Sequence, residues 1–155
     1  MEVCLPAIAS TGMKRMKGKA FIDTNLLIYF VSDDLARKQL VHELLIRNPS
    51  IAVSTQVINE FVAVSLKKNI NSREETFRYA AEFMELFELL SVDAATILRS
   101  FDLMRAGNYS SWDSLIIAAA LQTNASTLYT EDMQHGQVIE GKLTIIDPFR
   151  GISQK

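Results

Sequence analysis

A run of seven uninterrupted apolar residues, Leu-Ile-Ile-Ala-Ala-Ala-Leu at 115–121, follows directly on the polar segment Ser111-Trp112-Asp113-Ser114. The spacing predicts a helix opening at Ser111, and a helix apolar on every side is buried on every side. It needs neighbours all round, and the remaining segments supply them. Five short strand patterns stand at 19–23, 50–54, 89–92, 127–130 and 143–146. Helical patterns fill the intervals. Apolar residues 26–31 precede a helix with Ser32 as N-cap and Leu40, Val41, Leu44 and Leu45 on one face, which Asn48-Pro49 stops. Thr55 caps a helix with Val57, Ile58, Phe61, Val62 and Leu66 as apolar positions. Ser72-x-x-Glu75 is a capping box for the next, with Phe77, Ala80, Ala81, Met84 and Phe87 on one face. Asp93 caps a further helix that Gly107 ends. Strands separated by helices imply βαβ units and a parallel sheet covered on both faces. The expected fold is α/β: a three-layer α/β/α sandwich with a central parallel sheet of about five strands.

With 155 residues, one domain is the natural unit, and 48% apolar with 22% charged residues excludes disorder as the dominant state. A formal charge of −2 gives no general pull on nucleic-acid phosphates. Cys4 is the single cysteine and His42 and His135 the only histidines, so disulfide frameworks, cysteine zinc sites and multi-histidine cages are excluded. Metal chemistry in this chain must use carboxylates. No apolar run reaches the roughly 18 residues that span a bilayer, so no membrane partner is expected and a reducing cytoplasm is the expected location. At the N-terminus an apolar piece broken by Pro6 precedes Lys14, Arg15, Lys17 and Lys19, the reverse of the order in a secretory signal. Residues 1–18 read as a poorly ordered leader, 19–150 as the domain and 151–155 as a tail.

In open parallel sheets ligands bind beyond the carboxyl ends of the strands. Asp23 ends the first strand, and Asp132 lies two residues past the fourth, in Tyr129-Thr130-Glu131-Asp132. Glu60 falls within the first two turns of the helix after the second strand, and Asp113 in the first turn of the apolar helix. All four can face one basin. Like charges within about 4–6 Å oppose one another's ionisation, and a hard divalent cation with oxygen ligands removes that conflict. The usual chemistry of such a cluster is phosphodiester hydrolysis. Each acid also has a structural reading: Asp23 as a helix cap, Glu60 as a solvated helix residue, Asp132 as a turn residue, Asp113 as a first-turn charge facing the helix dipole. His42 and His135 read as surface or loop residues, and Trp112, Phe61 and Tyr129 as core. The joint placement carries the argument.

Phe-Ile-Asp23-Thr-Asn-Leu-Leu, Asn59-Glu60-Phe, Ser-Trp-Asp113-Ser-Leu-Ile-Ile-Ala-Ala-Ala and Tyr-Thr-Glu-Asp132-Met together resemble the PIN domain, with VapC-type toxins of toxin–antitoxin pairs as the nearest likeness. The resemblance runs from Lys19 to Arg150. It implies a metal-dependent endoribonuclease, kept inactive by an antitoxin whose tail occupies the acidic pocket, and a homodimer. It implies Asp23, Glu60, Asp113 and Asp132 as the catalytic quartet. Asp23 and Asp113 would bind Mg2+ or Mn2+, with Asp132 alongside or acting through water. Glu60 would orient or deprotonate the attacking water, and Asn25 and Thr130 would support the pocket. Lys14, Arg15, Lys17 and Lys19, or Lys67 and Lys68, could track an RNA backbone; the alternative is that they are merely solvated. Two other functions stay open: a catalytically inactive PIN-like binding module, and an RNA-processing nuclease without an antitoxin. A phosphotransfer receiver with Asp93 as acceptor lacks support, because such a domain needs paired acids after strand one and a lysine after the last strand. Here those places hold Asp23 alone and Ile146-Asp147. A haloacid-dehalogenase-type phosphatase needs a second aspartate where Asn25 stands.

Overall fold

Helix starts in this chain are set by short polar side chains, and the strands lie between them. The computed structural model describes residues 14–152. In chain order the elements are β1 (Ala20–Ile22), α1 (Thr24–Val31), α2 (Leu35–Arg47), β2 (Ile51–Ser54), α3 (Thr55–Lys68), α4 (Arg73–Leu86), β3 (Glu88–Leu90), α5 (Ala94–Ala106), α6 (Ser111–Gln122), β4 (Thr127–Tyr129), β5 (Val138–Ile139) and β6 (Leu143–Ile146). The sheet has six strands in the order β3-β2-β1-β4-β6-β5. All pairs are parallel except β5 with β6. The extra strand is two residues long, too short to show a period, and Gly136 (φ +81°) and Gly141 (φ +67°) supply the left-handed turns on either side. One packed set of helices links α1 to α2 and α3, and α3 to α4; α5 and α6 form another pair, with α6 against β2. This is the expected α/β sandwich.

Local chemistry confirms some boundaries and shifts others. The Ser72 capping box and the Asp93 cap form as expected. Asp34, whose carboxylate accepts from Arg37 N, caps α2 in place of Ser32; Ser54 caps α3, with Thr55 as its first residue. In each case a neighbouring side chain stands better placed to accept an N3 amide. On α4 the buried residues are Thr76, Ala80 and Phe83, continued by Phe87, while Phe77 and Met84 are exposed. The apolar face expected from sequence is thus turned toward Phe83. The cause is aromatic packing: the Phe83 ring meets Phe30 at 5.6 Å, Phe61 at 5.3 Å and Phe87 at 6.0 Å. Phe83→Ala opens a cavity at this junction of α1, α3 and α4, and should cost about 3–5 kcal/mol in a urea unfolding titration. Because Glu60 and Phe61 are adjacent on α3, the same variant should also lower any activity that uses Glu60.

Of the expected leader, residues 1–13 lie outside the described residues, as do 153–155 of the expected tail. Residues 14–18 form no helix or strand, yet Met16 N donates to Arg47 O at 3.0 Å and Tyr129 Oη donates to Met16 Sδ at 3.3 Å. No helix among the described residues is long and apolar enough to cross a membrane.

Candidate active site

Sheet order reverses at β1, whose sequence neighbour β2 lies on one side and β4 on the other. The crevice beyond the carboxyl ends of β1 and β4 is where an open α/β sheet binds ligands. Asp23 N donates to Tyr129 O at 3.0 Å, tying the two strand ends together at its floor. A cavity of about 370 Å³ sits there, and Asp23, Glu60, Asp113 and Asp132 all line it. They come from four places: the end of β1, the second turn of α3, the first turn of α6 and the loop after β4.

Every acid but one is held by an uncharged donor. Asp23, 4% exposed, accepts from Thr24 N at 2.6 Å and from Thr130 Oγ1 at 2.8 Å. It therefore caps α1 and lines the cavity at once. Glu60 accepts from Thr24 Oγ1 at 2.9 Å and from Gln56 Nε2 at 3.0 Å. Asp132 accepts from Asn25 Nδ2 at 3.1 Å, and its amide donates to Thr130 Oγ1 at 3.2 Å. Asn25 and Thr130 thus each donate a hydrogen bond to one of the acids. Asp113 is fixed through its backbone, its N–H donating to the capping Ser110 Oγ at 3.1 Å. No ion pair among the described residues includes any of these four. Burial pushes the Asp23 carboxyl up to about 6; the Thr130 and Thr24 hydrogen bonds pull it back, and the nearby Asp132 and Glu60 charges push it further.

Oxygen-only donors, an acid whose charge is disfavoured by burial and by its neighbours, and no cation paired to it fit a hard divalent ion. Asn25 Oδ1, buried without a partner beside Asp132, is a further neutral oxygen. Among the described residues no three His, Cys, Asp or Glu side chains are grouped closely enough to clasp one ion. The fit is therefore to an ion that takes one or two carboxylates and completes its shell with water, which is how Mg2+ usually binds.

Sequence reasoning missed several lining residues. Glu131 also faces the cavity and accepts from Tyr29 Oη at 2.8 Å; burial and Glu131 push the Tyr29 hydroxyl up to about 12. The signal was available, because Glu131 adjoins Asp132. Thr24, read only as part of Asp-Thr-Asn, links two acids. Lys68 is the one basic residue among those lining the cavity. Trp112, expected in the core, is 65% exposed at the cavity rim, while Phe61 and Tyr129 are buried as expected. Neither histidine lines the cavity. His42 stacks on Phe30 at 4.4 Å, where burial lowers its pKa, and His135 accepts from Asp147 N in an exposed loop.

The model of the PIN domain family matches residues 20–139. Among curated proteins, none matches this chain. Among solved structures, a toxin–antitoxin complex from Klebsiella pneumoniae is 24% identical with a TM-score of 0.62, covering 83% of this chain and 97% of its own. VapBC2 from Rickettsia felis, bound to a DNA fragment of its promoter, is 21% identical with a TM-score of 0.60, covering 83% and 99%. The sarcin–ricin-loop-cleaving toxin VapC20 of Mycobacterium tuberculosis is 16% identical with a TM-score of 0.60, covering 73% and 89%.

Proposed function

The chain belongs to the PIN domain family, and from that premise we propose that it is a metal-dependent endoribonuclease, the toxin of a toxin–antitoxin pair. One observation carries the reading: four acids from four separate elements line a single cavity at the switch point of the sheet, three of them held by neutral donors and none paired with a cation among the described residues. Asp23 and Asp113 would hold Mg2+ or Mn2+, with Asp132 reaching it through a bound water, and the ion would supply charge stabilisation at the phosphate and a more acidic water. Glu60, its two oxygens positioned by Thr24 and Gln56, takes the proton from the attacking water as that water's oxygen bonds to phosphorus, while the P–O ester bond opposite breaks and the departing ribose oxygen picks up a proton from solvent. Thr130 and Asn25 fix the orientations of Asp23 and Asp132, so the pocket is arranged before substrate arrives. Lys68 at the rim offers a charge to a flanking phosphate.

The neighbouring structures support an antitoxin as the protein partner, whose tail would fill this acidic cavity. Exposed apolar residues on α4 and α5, Phe77, Met84, Ile97, Leu98 and Phe101, support cover by a second protein surface, and a homodimer is the form we assign. We take residues 19–150 as the catalytic domain and the cytoplasm as its location. Purified chain free of partner should cleave single-stranded or looped RNA in Mg2+ or Mn2+, and EDTA should stop it. Cleavage that persists in EDTA, in protein shown to carry no metal, would sink the mechanism.

A further inference from the structure

Beside the acidic cavity runs a second groove, most of whose lining the proposed hydrolysis does not use. It has a volume of about 650 Å³, is lined in part by Gln56, Asn59, Val92 and Leu115, and shares Glu60 and Trp112 with the acidic cavity. Trp112, 65% exposed, forms the wall between the two and precedes Asp113 directly in the chain. Gln56 is only 8% exposed. Its Nε2 donates to Glu60 Oε1 at 3.0 Å and to Trp112 O at 3.4 Å. Both partners are acceptors, so the amide cannot be turned round without losing them. That leaves Gln56 Oε1 as a buried acceptor with no donor among the described residues. Buried acceptors of this kind call for a ligand donor or a water.

We propose that this groove is the subsite for one nucleobase of the RNA strand, the base flanking the phosphate to be cut, stacked on the Trp112 indole and offering an N–H to Gln56 Oε1. The assignment rests on the nuclease reading above. The groove is neutral apart from Glu60, so it suits the uncharged face of a base, while the phosphate belongs with the metal next door. Unstacked bases are bound by stacking on aromatic side chains and by hydrogen bonds along their edges. The residue that carries the indole is bonded directly to Asp113 in the chain, which places a stacked base next to the cutting site.

Trp112 is the only tryptophan in the chain, so tryptophan fluorescence reports on this wall between groove and cavity and on no other part of the molecule. The full chain in EDTA should show saturable quenching by a 2′-O-methyl RNA hexamer and none by an abasic hexamer of equal charge. In cleavage assays Trp112→Ala should raise KM about ten- to a hundredfold while kcat moves less than about threefold, and Trp112→Phe should recover most of the loss. Exposure of the side chain makes both variants tolerable to the fold, which a thermal melt checks. Gln56→Met, read by binding alone, should flatten the affinity differences among the four homo-oligomers. RNA that is cleaved without quenching overturns the subsite and leaves the nuclease reading standing. Quenching without cleavage in Mn2+ supports the subsite and removes the nuclease reading. An unchanged KM in Trp112→Ala, with loss of binding to a co-expressed inhibitor protein, overturns the subsite and makes the groove a protein contact.

Discussion

Asp23→Asn is expected to cut RNA cleavage by about a thousandfold or more, since several kcal/mol of charge stabilisation leave with a metal ligand, and to make the metal-free protein more stable at neutral pH. The second half follows from burial. The folded Asp23 carboxyl titrates near 6, above its ordinary value of 3.8. An acid raised on folding contributes stability that is fully present below the unfolded pKa and is lost as pH rises through the folded one. Between about pH 4 and pH 6 the wild type therefore gives up as much as roughly 3 kcal/mol. Asparagine removes that loss and keeps the oxygen that accepts from Thr24 N. It forfeits the acceptor for the Thr130 hydroxyl, taking back about 1 kcal/mol. Urea titrations in EDTA should show the variant no better than wild type at pH 4 and more stable by about 1–2 kcal/mol at pH 7.5. A stability difference that stays flat across this range would mean that Asp23 is not the group burdened by burial.

That burden also explains which residues could be found from sequence. Asp23, Asp132 and Asp113 stand at strand ends and at a helix start, places that strand and helix patterns locate to within a residue or two. Glu60 was legible because counting from Thr55, one residue from the observed cap, puts it within the first two turns. Their supports were less so. Thr24 bridges Asp23 and Glu60 across 36 residues of sequence, and nothing local in Asp-Thr-Asn announces the second contact. Trp112 was misread because aromatic residues next to an apolar run are usually core. It precedes that run, on the turn of α6 that overhangs the crevice, where burial stops. On α4 two overlapping stripes compete, and only the rings of Phe30 and Phe61 on other helices decide for Phe83. Long-range packing of this kind leaves no period in the segment it governs.

Uncharged donors around the acids leave their charge for an incoming cation, and Asp113 tests that directly, since its side chain has no hydrogen-bond partner among the described residues. Asp113→Asn removes one charge at nearly constant shape. Cleavage should fall by orders of magnitude, yet stability in EDTA should hold or rise by about 1 kcal/mol, because like charges crowded in one cavity oppose folding. Added Mn2+ should stabilise the wild type by RT ln(1 + [L]/Kd), about 2.7 kcal/mol at a hundred times Kd. For a chain of this size that is a rise in Tm of roughly 5–10 °C. The variant, short of a ligand, should rise much less. Were Asp113 only a first-turn charge facing the α6 dipole, its loss would cost about 0.3–1 kcal/mol in EDTA, and Mn2+ would lift both proteins equally. Four thermal melts, two proteins each with EDTA and with Mn2+, separate the two roles. Equal metal-induced shifts would take Asp113 out of the metal site, and the nuclease reading would then lack the ligand that joins α6 to the sheet edge.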